Sequence, residues 1–168
     1  MDPYEVLREK HKPARTRVLF IGESRPANGT FFFCGDSQLA RYTCEAFGPE
    51  GGPVQVMSSF LKHFQALGCF LVDLCPEPVN HLPPCQRRRA QKAGEPALAT
   101  TLRELSPLAI LVVMRAIAPS VARSAALAGA DTTPRDVLPF PAQGHQRKYV
   151  GGLREIVLRL THDGVLTS

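Results

Sequence analysis

The chain has 168 residues, 44% hydrophobic and 21% charged, which predicts a single domain over residues 1–168 with its own core and excludes a disordered chain. No window approaches the roughly 18 unbroken apolar residues of a membrane span. Twenty Lys+Arg against fifteen Asp+Glu give a net charge of +5 and a pI near 9.2, which excludes an acidic protein and favours a polyanionic partner.

The start, MDPYEVLREKHK, is charged throughout and has no apolar signal core. That predicts no secretion and a cytoplasmic location. Asp2 before Pro3 can cap a short helix ending near Lys10–Pro13. Arg17–Gly22 (RVLFIG) reads as a buried strand. A polar loop follows from Glu23 to Gly35 and contains three consecutive phenylalanines. Asp36 is the expected cap of a helix running to Phe47, and GPEGGP at 48–53 is a break. Apolar positions at helical spacing mark a helix over Val54–Leu67. Cys69–Leu74 (CFLVDL) is a second strand, followed by a proline-rich loop over Cys75–Pro84. Gln86–Leu105 is helical, with Gly94–Pro96 as a candidate interruption. Leu108–Met114 is a third, wholly apolar strand, and Ile117–Ala128 a small-residue helix. Val137–Phe140 is the expected fourth strand. A loop from Pro141 to His145 leads into a closing helix over Lys148–Thr161.

Alternating strands and helices predict an α/β fold: a three-layer αβα sandwich around a mainly parallel four-stranded sheet. In such sheets ligands bind beyond the carboxyl ends of the strands. Those ends are Gly22–Ser24, Asp73–Pro76, Met114–Arg115 and Phe140–Ala142, which locates a candidate site before any motif is considered. The five cysteines form no C-x-x-C pair. They read as small apolar residues in a reducing compartment rather than as disulfides or a zinc site.

The loop Gly22-Glu23-Ser24-Arg25-Pro26, then Gly29-Thr30-Phe31-Phe32-Phe33-Cys34-Gly35, is neither a P-loop nor a G-x-G-x-x-G turn. A strand, a Gly-acid-small-Pro loop and then Gly with an aromatic resemble the first motif of the uracil-DNA glycosylase superfamily. Leu71-Val72-Asp73 is similar to that superfamily's second-strand end. The segment around Asn80 and Pro83–Pro84 is similar to the proline-rich segment after it. Leu138-Pro139-Phe140-Pro141-Ala142, with Arg147 and Tyr149 beyond, resembles its last motif and minor-groove loop. The likeness spans roughly residues 15 to 160.

The resemblance implies a monofunctional DNA glycosylase, monomeric and without a cofactor, that flips a damaged base out of DNA. Glu23 and Ser24 would be catalytic, assisting hydrolysis as positive charge develops on the sugar. Phe32 or Phe33 would stack the base, and Asp73 would read its edge. Arg25, Gln143, His145, Arg147 and Lys148 would contact DNA, with the 143–148 loop filling the gap in the duplex. Four departures accompany the likeness. Asp73 stands where Asn is usual, Phe140 where His is usual, Pro26 follows Arg25 where the proline would follow Ser24, and no amino-terminal cysteine pair precedes Cys34, so no iron–sulfur cluster is expected. An ionised Asp only accepts hydrogen bonds, which sets Asp73 against O4 of uracil.

Structural alternatives stand beside each role. Glu23 can hold a turn, Asp73 can bond the neighbouring loop, and the phenylalanines can be core. His145 can be solvated, and Arg87–Arg89 with Lys92 can form a solvated helical face or a DNA backbone contact. A catalytically inactive nucleic-acid or nucleotide-binding module on the same fold is the second reading. An enzyme or sensor for a small phosphate ligand is the third.

Overall fold

The computed structural model describes residues 1–167. Its helices are α1 (Pro3–Lys10), α2 (Gln38–Phe47), α3 (Met57–Ala66), α4 (Pro84–Leu105), α5 (Ala118–Ala128) and α6 (Gln146–His162). Its strands are β1 (Val18–Gly22), β2 (Cys69–Asp73), β3 (Ala109–Val112) and β4 (Arg135–Val137). The strands form one sheet in the order β2-β1-β3-β4, and every pairing is parallel. Right-handed crossovers place helices according to the direction of travel. The step from β1 to β2 puts α2 and α3 on one face. The steps back to β3 and on to β4 put α4 and α5 on the other. Contacts agree: α4 packs on α5, and α6 packs on α2. The expected α/β three-layer sandwich with a parallel sheet is therefore the fold.

β1 is central and buried along its whole length. Each of its Val, Leu, Phe and Ile side chains contributes about 1.5–3 kcal/mol by leaving water. Beneath it, Phe20, Phe60 and Phe64 interlock with ring centroids 5.0–5.6 Å apart where Phe64 meets the other two. Tyr149 of α6 is fully buried and shares a 2.7 Å hydrogen bond with Thr43 of α2. This pair ties the two helices of that layer together.

Four expectations are corrected. The fourth strand is Arg135–Val137, not Val137–Phe140. It is a partly solvated edge, so charged residues suit it, while Leu138 turns down onto Gly152 of α6. The cap of α2 is Ser37, whose Oγ accepts from the Ala40 backbone N–H. Asp36 instead accepts from the Phe31 N–H at 2.8 Å. Helix α4 passes through Gly94–Pro96 unbroken. Gly94 lies against the Leu74 carbonyl, where a Cβ would overlap the oxygen, and packing on α5 outweighs the proline. Finally, Phe32–Cys34, read as part of the polar loop, is a 3-10 turn closed by Gly35 in the left-handed region.

Among the described residues, no helix is long and apolar enough to cross a membrane. Cys44, Cys69 and Cys75 are buried, Cys34 and Cys85 are exposed, and all five are free thiols.

Candidate functional site

The chain leaves β1 to one side for β2 and then returns past it to β3. The carboxyl ends of β1 and β3 therefore border a switch point, where an open α/β sheet leaves a crevice. A cleft of about 750 Å³ lies there. Its walls come from all four strand ends: Gly22–Pro26, Asp73 with Asn80, Met114–Ala116, and Pro139–His145 without Pro141 and Gly144. Arg87 of α4, the Phe31–Phe32 edge and the start of α2 at Ser37–Leu39 add to it.

The β1 and β2 loops are stitched together. Leu74 N–H donates to the Gly22 carbonyl at 2.9 Å, and Cys75 N–H donates to that of Glu23 at 2.7 Å. Val79 N–H donates to Ser24 Oγ at 3.2 Å, and Ala27 N–H donates to Asn80 Oδ1 at 3.1 Å. Ser24 thus shapes the loop and retains its own hydroxyl proton for the cleft.

Glu23 is 6% exposed. Arg87 grips it from α4 with two bonds, Nε donating to Oε1 at 2.6 Å and Nη2 to Oε2. Gln91, one turn along α4, adds Nε2 to Oε1 at 2.6 Å. The i, i+4 spacing puts both donors on one helix face. An ionised carboxylate has about four acceptor positions, so three donors leave one for a ligand or water. Among the rest of the Arg87–Arg89 run, Arg88 and Arg89 are exposed. Their exposure is compatible with a solvated face and with a DNA backbone contact alike, whereas Arg87 is tied into the ion pair with Glu23.

Asp73 ends β2 in register with Gly22. Its Oδ2 accepts from Arg8 Nη2 of α1 at 2.7 Å. Its Oδ1 lies 2.8 Å from where a Cβ on Gly22 would stand. Only glycine leaves room for the carboxylate there. Burial pushes the carboxyl up to about 6, against the opposing pull of Arg8.

α1 buries none of its residues and is held by polar and aromatic contacts. Tyr4 meets Phe31 edge-on at 5.2 Å, and the Arg25 guanidinium sits 4.3 Å above the Tyr4 ring. Arg25 also pairs with Glu77 at 3.7 Å. Its charge is thus partly engaged within the protein.

The phenylalanines divide. Phe31 and Phe32 border the cleft, though both are nearly closed to solvent. Phe33 does not reach it: it stacks on His11 at 5.2 Å and packs against Phe70. Its expected role against a base is corrected to a core role, because the 3-10 turn rotates it toward α1. Phe140 is the aromatic ring with open surface in the cleft. In the last loop, Gln143 and His145 line the cleft, whereas Arg147 and Lys148 are exposed on the first turn of α6 outside it. Gln143 and Gly144 both have positive φ, 54° and 86°, which projects the loop tip. Arg115, exposed at the cleft edge, has no carboxylate partner among the described residues.

Arg8 and Gln91 are cleft-side partners that sequence reasoning did not name, and the pairing of Arg87 with Glu23 was not foreseen. The i, i+4 pair of Arg87 and Gln91 was a visible signal once Glu23 was singled out; Arg8 had none. No protein-family model and no curated protein matches the chain.

Proposed function

We propose that the protein is a DNA glycosylase-like hydrolase that takes a flipped, deaminated or mismatched base into this cleft. The observation that carries the reading is the convergence of Glu23, Asp73 and aromatic rings on one crevice at the sheet's switch point. In the reaction the C1′–N bond breaks, a water oxygen bonds to C1′, and the base leaves with a proton. Glu23 would supply its remaining acceptor position to the attacking water, or its charge to the cationic sugar. Arg87 and Gln91 would hold it in place for either task. Phe140 would stack the base, Asp73 would read its edge, and the Gln143–His145 tip would enter the duplex. Arg115, Arg147 and Lys148 would contact phosphates. A protein of this kind would act as a monomer.

The test is incubation with duplexes and single strands carrying uracil, hypoxanthine, xanthine or mismatched thymine, followed by alkaline cleavage of abasic sites. Strand scission at a lesion is the expected result. Folded protein that cleaves none of them refutes the proposal.

One observation favours the alternative, a module that binds nucleic acid or nucleotide without turnover. Three of the four acceptor positions of Glu23 are occupied by its own chain. Glu23→Gln separates the two. An enzyme loses rate by 10²-fold or more at unchanged affinity, while a binding module has no rate to lose.

A further inference from the structure

We propose that the base held in the cleft is a 6-oxopurine, hypoxanthine or guanine, which donates its N1–H to Asp73 Oδ1. This rests on the reading of the cleft as a base site and names what enters it. Asp73 offers one oxygen only. Oδ2 is held by Arg8 at 2.7 Å. Oδ1 has no donor among the described residues and opens to the cleft above Gly22. A carboxylate beside a guanidinium accepts hydrogen bonds and donates none. Its partner must therefore be an N–H.

The standard base edges differ in what flanks that N–H. Adenine can donate only its exocyclic amino N–H, which has a bare ring nitrogen, N1 or N7, on either side, so a lone pair lies next to the carboxylate; cytosine repeats this on its pairing edge. On their pairing edges uracil, thymine and xanthine set the N–H between two carbonyls, so an oxygen repels Oδ1 from either side. In hypoxanthine, N1–H has a carbonyl on one side and only C2–H on the other. In guanine the second neighbour is an amino group, a further donor. The cleft also holds a donor suited to the 6-carbonyl. Asn80 accepts from Ala27 with Oδ1, which leaves its amide N–H groups as the free end. A volume of about 750 Å³ accommodates a purine nucleotide.

The experiment is calorimetric titration of the full chain at pH 7.5 with the 5′-monophosphates of deoxyinosine, deoxyguanosine, deoxyadenosine, deoxyuridine and 1-methyldeoxyinosine. The last lacks the N1 proton. A hydrogen bond to a charged group supports a preference of about ten-fold or more. The inosine and guanosine nucleotides should therefore bind at least about ten-fold tighter than the other three. Asp73→Asn, whose amide both donates and accepts, should narrow the spread to about three-fold. If that variant fails to fold because Arg8 loses its partner, the 1-methyl probe still decides on the unaltered protein. Equal binding of the methylated nucleotide, tighter binding of the uridine or adenosine nucleotide, or no binding of any, overturns the inference. Uracil excision with the uridine nucleotide bound best would overturn it while the glycosylase reading survives. Selective inosine binding without excision of any lesion would do the reverse.

Discussion

Replacing Arg87 with alanine strips Glu23 of two of its three donors and leaves Gln91 alone to hold a carboxylate whose side chain is 4% exposed. Breaking a fully buried ion pair from one side costs roughly 3–5 kcal/mol, because a charge stays behind without a partner. The Arg87 side chain is 31% exposed, so water reaches the vacated space and reduces the loss to about 2–3 kcal/mol. A urea m-value near 2 kcal/mol/M, typical of a small domain, converts this to a fall of about 1–1.5 M in the unfolding midpoint. Equilibrium unfolding followed by circular dichroism measures it. Arg88→Ala is the control, since Arg88 is exposed and its loss should stay within about 0.5 kcal/mol. Adding Glu23→Gln to Arg87→Ala should restore part of the midpoint by removing the stranded charge. A fall of less than about 0.25 M for Arg87→Ala, equal to the control, refutes the view that this pair holds the cleft together.

Asp73 makes stability depend on pH in a stated direction. Burial raises its carboxyl from 3.8 to about 6 despite Arg8 and Arg25, with Glu5 adding to the rise. The native state therefore binds the proton more tightly than the unfolded chain. Stability should decline as pH rises from about 4 to about 6, by about 3 kcal/mol in all. The difference in urea stability between wild type and Asp73→Asn, measured from pH 4 to 7, isolates this contribution. The wild-type stability minus that of Asp73→Asn should fall as pH rises; if it rises instead, Arg8 outweighs burial. Gly94→Ala drives a Cβ into the Leu74 carbonyl. Overpacking against rigid backbone should exceed the roughly 1 kcal/mol helix-propensity gain and leave a net loss of about 1–3 kcal/mol. A thermal melt unchanged or raised by this substitution would show that α4 stands off β2.

The core strands were legible because β1, β2 and β3 are short apolar runs ended by Gly, Asp–Pro-rich or basic segments, and parallel strands covered on both faces carry that pattern. β4 was misplaced by two residues at its start because it is a solvated edge. Of the apolar Leu138-Pro139-Phe140 that follows, Leu138 packs on α6 and Pro139 and Phe140 line the cleft, so hydrophobicity pointed past the strand. Phe31–Phe33 misled for another reason. Asp36 captures the Phe31 N–H and Gly35 turns the chain, and neither effect shows in the pattern of apolar residues. The strand-end position of the cleft was readable from topology alone. The partners of its carboxylates were not: Arg8 lies 65 residues from Asp73, and Arg87 lies 64 from Glu23. One sequence carries no record of which distant charges meet.

The central position of β1 has a kinetic side. Its two neighbours in the sheet are made later, β2 from Cys69 and β3 from Ala109. At a synthesis rate of about 5–20 residues per second, Ala109 follows Val18 by roughly 5–20 seconds. Through that interval Val18-Leu19-Phe20-Ile21, among the most deeply buried residues of the finished protein, lacks its β3 partner, and non-local parallel pairing is intrinsically slow to form. The strand at the floor of the cleft is thus also a segment that stays open to chaperone capture or misassociation until its β3 partner is made.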